Sequence, residues 1–312
     1  MTAGPLRLQV TRRDILRSAV GLAGAAALAV PARAVWAQTL AGGGELTVLS
    51  DGTLTLPISF AFPDAPADEL EALLAANDMP LDALRPDCHV TVLRTGERLA
   101  VFDAGSGSNF MPTAGLLPDS LAEAGIDPAD VTDVVFTHAH PDHIWGVTDD
   151  FDDPVFANAA YHIGRAEWDF WSAPDAIARV PEDRQTFVVG AQNRFAAIED
   201  RVAVVEPGDE VLPGVEAVDT AGHTPGHLSF MVHGGADPVL IGGDALTNSV
   251  ISFAHPEWPT GSDQDPEMGI RTRLSLLDRL ASERVRLIGY HFPHAGAGIV
   301  ERAAGAYRYV PA

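Results

Sequence analysis

Apolar and polar positions along the chain switch repeatedly between two periods. In ELTVLSDGTLTLP they alternate around Asp51-Gly52, which predicts a β-hairpin. HVTVLRTGERLAVFDAG predicts a second hairpin, turning at Thr95-Gly96. Helical spacing takes over in DELEALLAAND, in LLPDSLAEAG up to Gly125, in RAEWDFW and PEDRQTFVVGAQNRFAAIED, and most plainly in IRTRLSLLDRLASER. Short apolar runs bounded by turn residues, TDVVFT, AAYHIG, VAVVEPG, VEAVDTAGH, LSFMVHGG, VLIGGD and RLIGYHF, read as buried strands. The strands form two groups, each punctuated by helices, with no repeat and no linker after residue 45. The expected architecture is α/β: two sheets packed face to face with helices outside, in one domain.

The N-terminus breaks this pattern. TRRDILR, Thr11 to Arg17, is a twin-arginine sequence followed by the mildly apolar run SAVGLAGAAALAV and small-residue cleavage sites ending at Ala34 or Ala37. The apolar run is shorter than the ~20 residues of a membrane span. We therefore expect residues 1–37 to be a signal peptide, residues 38–312 to be the domain, and the protein to be periplasmic or secreted, with the twin-arginine export machinery as a partner.

Charge and composition narrow the partners. The chain of 312 residues is 46% hydrophobic, enough for a large core, and its formal charge of −23 repels nucleic acid and anionic membranes. All 20 basic residues are Arg. Cys88, the only cysteine, excludes an internal disulfide, and its place in CHVTVL predicts a core residue. Exposed aromatics permit a homodimer.

The chemistry concentrates in THAHPDH, Thr137 to His143, which places three of the 11 histidines directly after a buried strand. His138 and His140 can converge on one ion, while the turn at Pro141 directs Asp142 and His143 to a neighbouring place. Imidazole with carboxylate suits zinc, iron or manganese, and two ions sharing the site account for so many donors better than one. Three further donors follow apolar strands: His223 in AGHTPGH, Asp244 in GGD and His291 in GYHF.

Together with DAG (Asp103–Gly105), these motifs resemble the metallo-β-lactamase superfamily across about residues 45–312. The resemblance implies an αββα sandwich. It also implies one metal on His138, His140 and His223, a second on Asp142, His143 and His291, Asp244 bridging them, and Asp103 hydrogen-bonding a ligand. His227 is expected behind the ligands, with His89, His162 and His233 structural and His255 and Trp258 near the entrance. Asp rather than Cys or Ser at 244 argues against β-lactam hydrolysis, and His140 in place of a Glu favours hydrolysis over oxygen reduction. VLSDGTLTLP, NFMPTAGLL, AEWDFW, TFVVGA and AGAYRYVP are similar to the methyl parathion hydrolase group, which implies an aromatic pocket of Phe110, Trp171 and Phe187. His294 and Ala295 depart from that group's pattern. The expected activity is hydrolysis of phosphotriesters or aryl esters by a hydroxide shared between two divalent ions, zinc first, then manganese, cobalt or iron. Asp142 and Asp244 are the catalytic carboxylates. A lactonase on the same site is the second reading, and a non-catalytic metal-binding protein the third.

Overall fold

A computed structural model describes residues 36–40, 44–234 and 237–312. The first segment of the chain, up to residue 205, supplies β1 (Trp36–Thr39), β2 (Glu45–Thr53), β3 (Leu56–Pro57), β4 (Ala83–Leu84), β5 (Asp87–Thr95), β6 (Arg98–Phe102), β7 (Asp133–Val135), β8 (Ala160–Gly164) and β9 (Val202–Val205). The second supplies β10 (Glu210–Leu212), β11 (Val215–Asp219), β12 (Leu228–Val232), β13 (Val239–Ile241), β14 (Arg286–Ile288), β15 (Ala297–Ala303) and β16 (Ala306–Pro311). The helices are α1 (Ile58–Ala61), α2 (Ala67–Ala76), α3 (Leu117–Glu123), α4 (Pro141–Ile144), α5 (Arg165–Ser172), α6 (Gln185–Ile198), α7 (Ile251–Ala254) and α8 (Pro266–Glu283).

Two seven-stranded mixed sheets result. One runs β1-β2-β5-β6-β7-β8-β9 and the other β10-β11-β12-β13-β14-β15-β16. Period-two alternation divides each strand between two cores. In β6, Ala100 and Phe102 face the second sheet, while Leu99 and Val101 face the outer helices. In β13, Val239 and Ile241 face the first sheet and Leu240 faces α8. Phe102 meets Phe230 of β12 across the interface, ring centroids 5.6 Å apart. On the outside, Val188 and Phe195 of α6 cover the first sheet, and Leu276, Leu277 and Leu280 of α8 cover the second. The αββα arrangement is thus a layered answer to sheets that are apolar on both faces.

The hairpin expected at Asp51-Gly52 does not form. β2 continues through it as one nine-residue strand paired to β5, with a bulge between Ser50 and Gly52. Gly52 has φ +106°, and a Cβ there would lie 2.2 Å from the Thr113 carbonyl oxygen. The bulge buries the Asp51 carboxylate, which accepts from the backbone N–H of Ser106 (2.7 Å) and Leu117 (2.8 Å). An irregularity that looks like a turn in sequence therefore anchors the loop that carries Phe110. The Thr95-Gly96 hairpin does form, pairing Thr95 with Arg98.

The twin-arginine segment lies outside the described residues. β1 begins at Trp36, inside the leader expected over residues 1–37, and pairs Trp36 with Val48 and Ala37 with Thr47. Of the two cleavage positions, only the one after Ala34 leaves this strand whole. Among the described residues no helix is long and apolar enough to cross a membrane.

Candidate metal centre

Every candidate ligand lies just beyond the C-terminal end of a strand, on the same edge of the sandwich. His138 to His143 follow β7, His223 follows β11, Asp244 follows β13 and His291 follows β14. His140 precedes α4, and Pro141 at the first helical position starts that short helix, turning Asp142 and His143 away from the two earlier histidines. Gly243, at φ +51°, lets the chain pass between two neighbours: a Cβ there would lie 2.7 Å from His227 Nε2 and 2.8 Å from Thr137 Cβ.

The side chains collect into two buried groups whose ligand atoms lie within 4.8 Å of one another, His138/His140/His223 and Asp142/His143/Asp244/His291. In the first, His140 Nδ1 lies 3.0 Å from His138 Nε2 and 2.9 Å from His223 Nε2. In the second, His291 Nε2 lies 3.2 Å from both Asp142 Oδ2 and Asp244 Oδ2. Asp244 belongs to both: its Oδ2 is 3.3 Å from His223 Nε2 and its Oδ1 is 3.4 Å from His143 Nε2. These last two atoms, His143 Nε2 and Asp244 Oδ1, are buried with no hydrogen-bond partner, although buried polar atoms are nearly always satisfied. Converging imidazole nitrogens and an unpartnered carboxylate oxygen fit two divalent metal ions.

Electrostatics agree with the geometry. Burial, reinforced by neighbouring imidazoles, holds His138 and His140 well below the usual histidine range, so both offer neutral nitrogens. Burial opposes charge on His143 and His291 as well, but the carboxylates around them outweigh it and raise both well above that range. Asp142 and Asp244 are pushed well below the ordinary carboxylate range: burial alone would raise them, and the imidazoles of His143 and His291 reverse it. A buried field that holds protons on two imidazoles is one that favours a divalent cation.

Behind the ligands stands a set of hydrogen bonds that fixes their orientation. Asp103 accepts from Thr137 N (2.7 Å) and Thr137 Oγ1 (2.8 Å), and its Oδ2 lies 2.8 Å from His143 Nδ1. His227 Nε2 accepts from the Asp244 N–H at 2.9 Å, so its Nδ1 carries the proton toward Thr220 Oγ1, 2.8 Å away. Burial drives the His227 pKa down to about 3, consistent with that neutral tautomer. Asp263, not anticipated from sequence, sits 3.1 Å from His223 Nδ1 and takes Arg273 Nη2 on its other oxygen at 3.2 Å. Tyr290, in GYHF, donates to the Asp142 carbonyl at 2.5 Å and stacks on His143 with centroids 3.9 Å apart. Asp263 lies in a polar loop with no strand before it, so only its tertiary partner marks it.

A cavity of about 330 Å³ opens onto His140, Asp142, His223, Asp244 and His291. Phe110 and Phe187 line it, edge to face at 6.2 Å. Trp171 does not: it is fully buried, its Nε1 donates to Glu167 at 2.6 Å, and its ring abuts His140 from the core. Its i+4 spacing from Glu167 turns it inward. The apolar wall also includes Leu54, Leu56, Phe60, Phe62, Leu84 and Met111, which the alternation did not single out. Trp258, expected near the entrance, is buried beside Phe62, Leu70 and Leu74 and stacks on His255. His162 donates to the Asp133 carboxylate, and His89 donates to the carbonyl of Phe292, the residue after His291.

The layered sandwich with two ligand groups at one edge defines the class: the chain belongs to the metallo-beta-lactamase superfamily, whose pattern matches residues 85–288. It is 31% identical over 137 residues to the N-acyl homoserine lactonase AttM of Agrobacterium fabrum, covering 41% of this chain and 46% of that one. It thus spans about half the length of the curated relatives it matches. Among solved structures it is similar to AidC, a dizinc quorum-quenching lactonase in complex with a product, at 27% identity and TM-score 0.84, covering 89% of this chain and 97% of that one. It is also similar to hydrolase AbOPH of the beta-lactamase superfamily, at 26% identity and TM-score 0.83 over the same shares.

Proposed function

We propose that the protein is a metal-dependent lactonase acting on N-acyl homoserine lactones, with zinc as the ion of both groups. The observation that carries this reading is the cavity: an apolar chamber that ends on the ligand cluster, at the small end of the usual size range for small-molecule sites. Relatives named as lactonases support the substrate class ahead of phosphotriesters, which the sequence placed first.

Divalent ions held in the two groups would supply Lewis acidity toward a carbonyl and a nucleophile at neutral pH. The chain's own residues do the rest. The aliphatic wall of Leu54, Leu56, Leu84 and Met111 takes an acyl chain and excludes water. Asn248 lines the same cavity; its Oδ1 accepts from Val250 N (2.9 Å) and Ile251 N (2.8 Å), leaving Nδ2 to donate to a substrate carbonyl. Asp142 reaches the cavity, where it would accept the proton that the attacking water loses and return it to the ring-opened alkoxide.

Aryl esters keep one observation in their favour, the edge-to-face pair Phe110 and Phe187. Purified, zinc-loaded protein should be assayed on homoserine lactones from butanoyl to dodecanoyl and on paraoxon-type esters. Lactone kcat/KM should rise about fourfold per methylene until the chamber is filled, as ~0.8 kcal/mol per buried CH₂ implies. Turnover of the phosphotriesters with none of the lactones would overturn the assignment. We further propose twin-arginine export, supported by TRRDILR and the apolar run behind it.

A further inference from the structure

Glu167 is a fully buried acid that the chemistry above does not use. It lies in the first turn of α5, with no exposed surface. Four donors converge on it, two on each oxygen. Oε1 accepts from Ala139 N (2.9 Å) and Trp171 Nε1 (2.6 Å). Oε2 accepts from Thr224 Oγ1 (2.7 Å) and Gly226 N (3.0 Å).

The identity of these donors matters more than their number. Ala139 stands between His138 and His140, and Thr224 follows His223. One carboxylate therefore fastens both loops that carry the three-histidine group, at positions adjacent to every ligand in it. Among the described residues, none of its hydrogen bonds reaches a neighbour of Asp142, His143, Asp244 or His291. The approach is close enough to demand glycine at 226, where a Cβ would lie 2.0 Å from Glu167 N. The GHTPGH loop is thus seated directly on the start of α5. Only an acceptor-only group with two oxygens can satisfy all four donors, which is the property of a carboxylate and not of an amide.

We propose that Glu167 is a positioning residue for the three-histidine group, holding His138, His140 and His223 at the mutual distances an ion requires, and leaving the second group unaffected. This rests on the two-metal reading of the site but not on the identity of the substrate. Glu167→Gln keeps the shape and points an NH₂ at one pair of donors, so it loosens one loop without opening a cavity.

The test is zinc affinity, measured by competition with a chromophoric chelator and without substrate, so a failed lactonase assay and a failed positioning role remain separate results. In a His291→Ala background, where the three-histidine group is complete, adding E167Q should weaken the remaining ion by about ten- to a hundredfold, as loss of a group behind a ligand does. In a His223→Ala background the same change should alter affinity by less than about twofold, the margin for independent sites. Thr224→Val, which removes one donor, should move the first background in the same direction by less. Leu277→Ala, in the core beneath α8, supplies a destabilised control: it should lower the melting temperature and leave zinc affinity in place. Equal effects of E167Q in both backgrounds, no effect in either, or a loss matched by Leu277→Ala would each overturn the proposal, as would a wild-type chain that binds no zinc.

Discussion

Asp244 Oδ2 lies 3.3 Å from His223 Nε2, while the other oxygen of the same carboxylate lies 3.4 Å from His143 Nε2. One side chain thus joins the two groups of candidate ligands, a position that fits a bridging role. Asp244→Ala should cost one ion per chain and lower turnover by more than about a hundredfold, exceeding the usual effect of removing a group one shell further out. Metal analysis beside initial rates checks this; two retained ions with full turnover would exclude the bridge.

Arg184 forms part of the cavity wall. Its guanidinium lies over the Phe60 ring, 5.6 Å from the centroid, and donates to the carbonyls of Ser262 (3.2 Å) and Gly261. It ties α1 to the 260–262 loop at the mouth of the chamber. Arg184→Met keeps the bulk and loses these bonds. KM for long-chain substrates should rise roughly fivefold, equivalent to about 1 kcal/mol, with kcat changed little. An unchanged KM across the acyl series would remove Arg184 from the wall's function.

Part of the acid stability should rest on Asp133. Burial favours its neutral form, but hydrogen bonds from His162 (2.9 Å), Thr132 (2.7 Å) and Arg98 (2.9 Å) outweigh it and lower its pKa to about 2 from 3.8. A carboxylate with a depressed folded pKa stabilises the protein above its unfolded value and loses that contribution as pH falls. The window is about pH 4 to 2, and the amount ~1–2 kcal/mol after allowing for solvent around Arg98. Asp133→Asn should flatten denaturation curves across this window; an unaltered acid limb would contradict the assignment.

The proposed twin-arginine export makes Arg12 and Arg13 the residues to change. Replacing Arg12 and Arg13 with Lys should retain the protein in the cytoplasm while leaving its specific activity after metal loading unchanged. Fractionation and activity assay of both forms test this, and undiminished export of the Lys pair would count against the twin-arginine route.

The convergence of the candidate donors was legible because its signals are local. Each donor comes directly after an apolar run that period and composition mark as a strand, and the strands of a layered fold deliver the residues at their ends to a shared edge. The turn at Thr95-Gly96 was legible for the same reason. Asp51-Gly52 was not: an Asp-Gly pair between alternating runs fits a hairpin and a bulge equally, and the choice rests on Thr113, which crowds Gly52 from far along the chain. β15 escaped notice because Gly298 interrupts its alternation, and β10 because its apolar run is only Val211 and Leu212, between Glu210 and Pro213.

Sequence by itself determined the layered class, the order of the seven candidate donors and their chemical character, since periodicity and donor type are properties of neighbours in the chain. Tertiary structure alone decided that Asp244 touches both groups, that Asp263 stands behind His223, that Trp171 faces the core while Leu54 and Phe60 face the cavity, and that Glu167 ties two loops together. Each of these depends on distances between residues tens of positions apart, and a buried polar side chain has no meaning until its partners arrive.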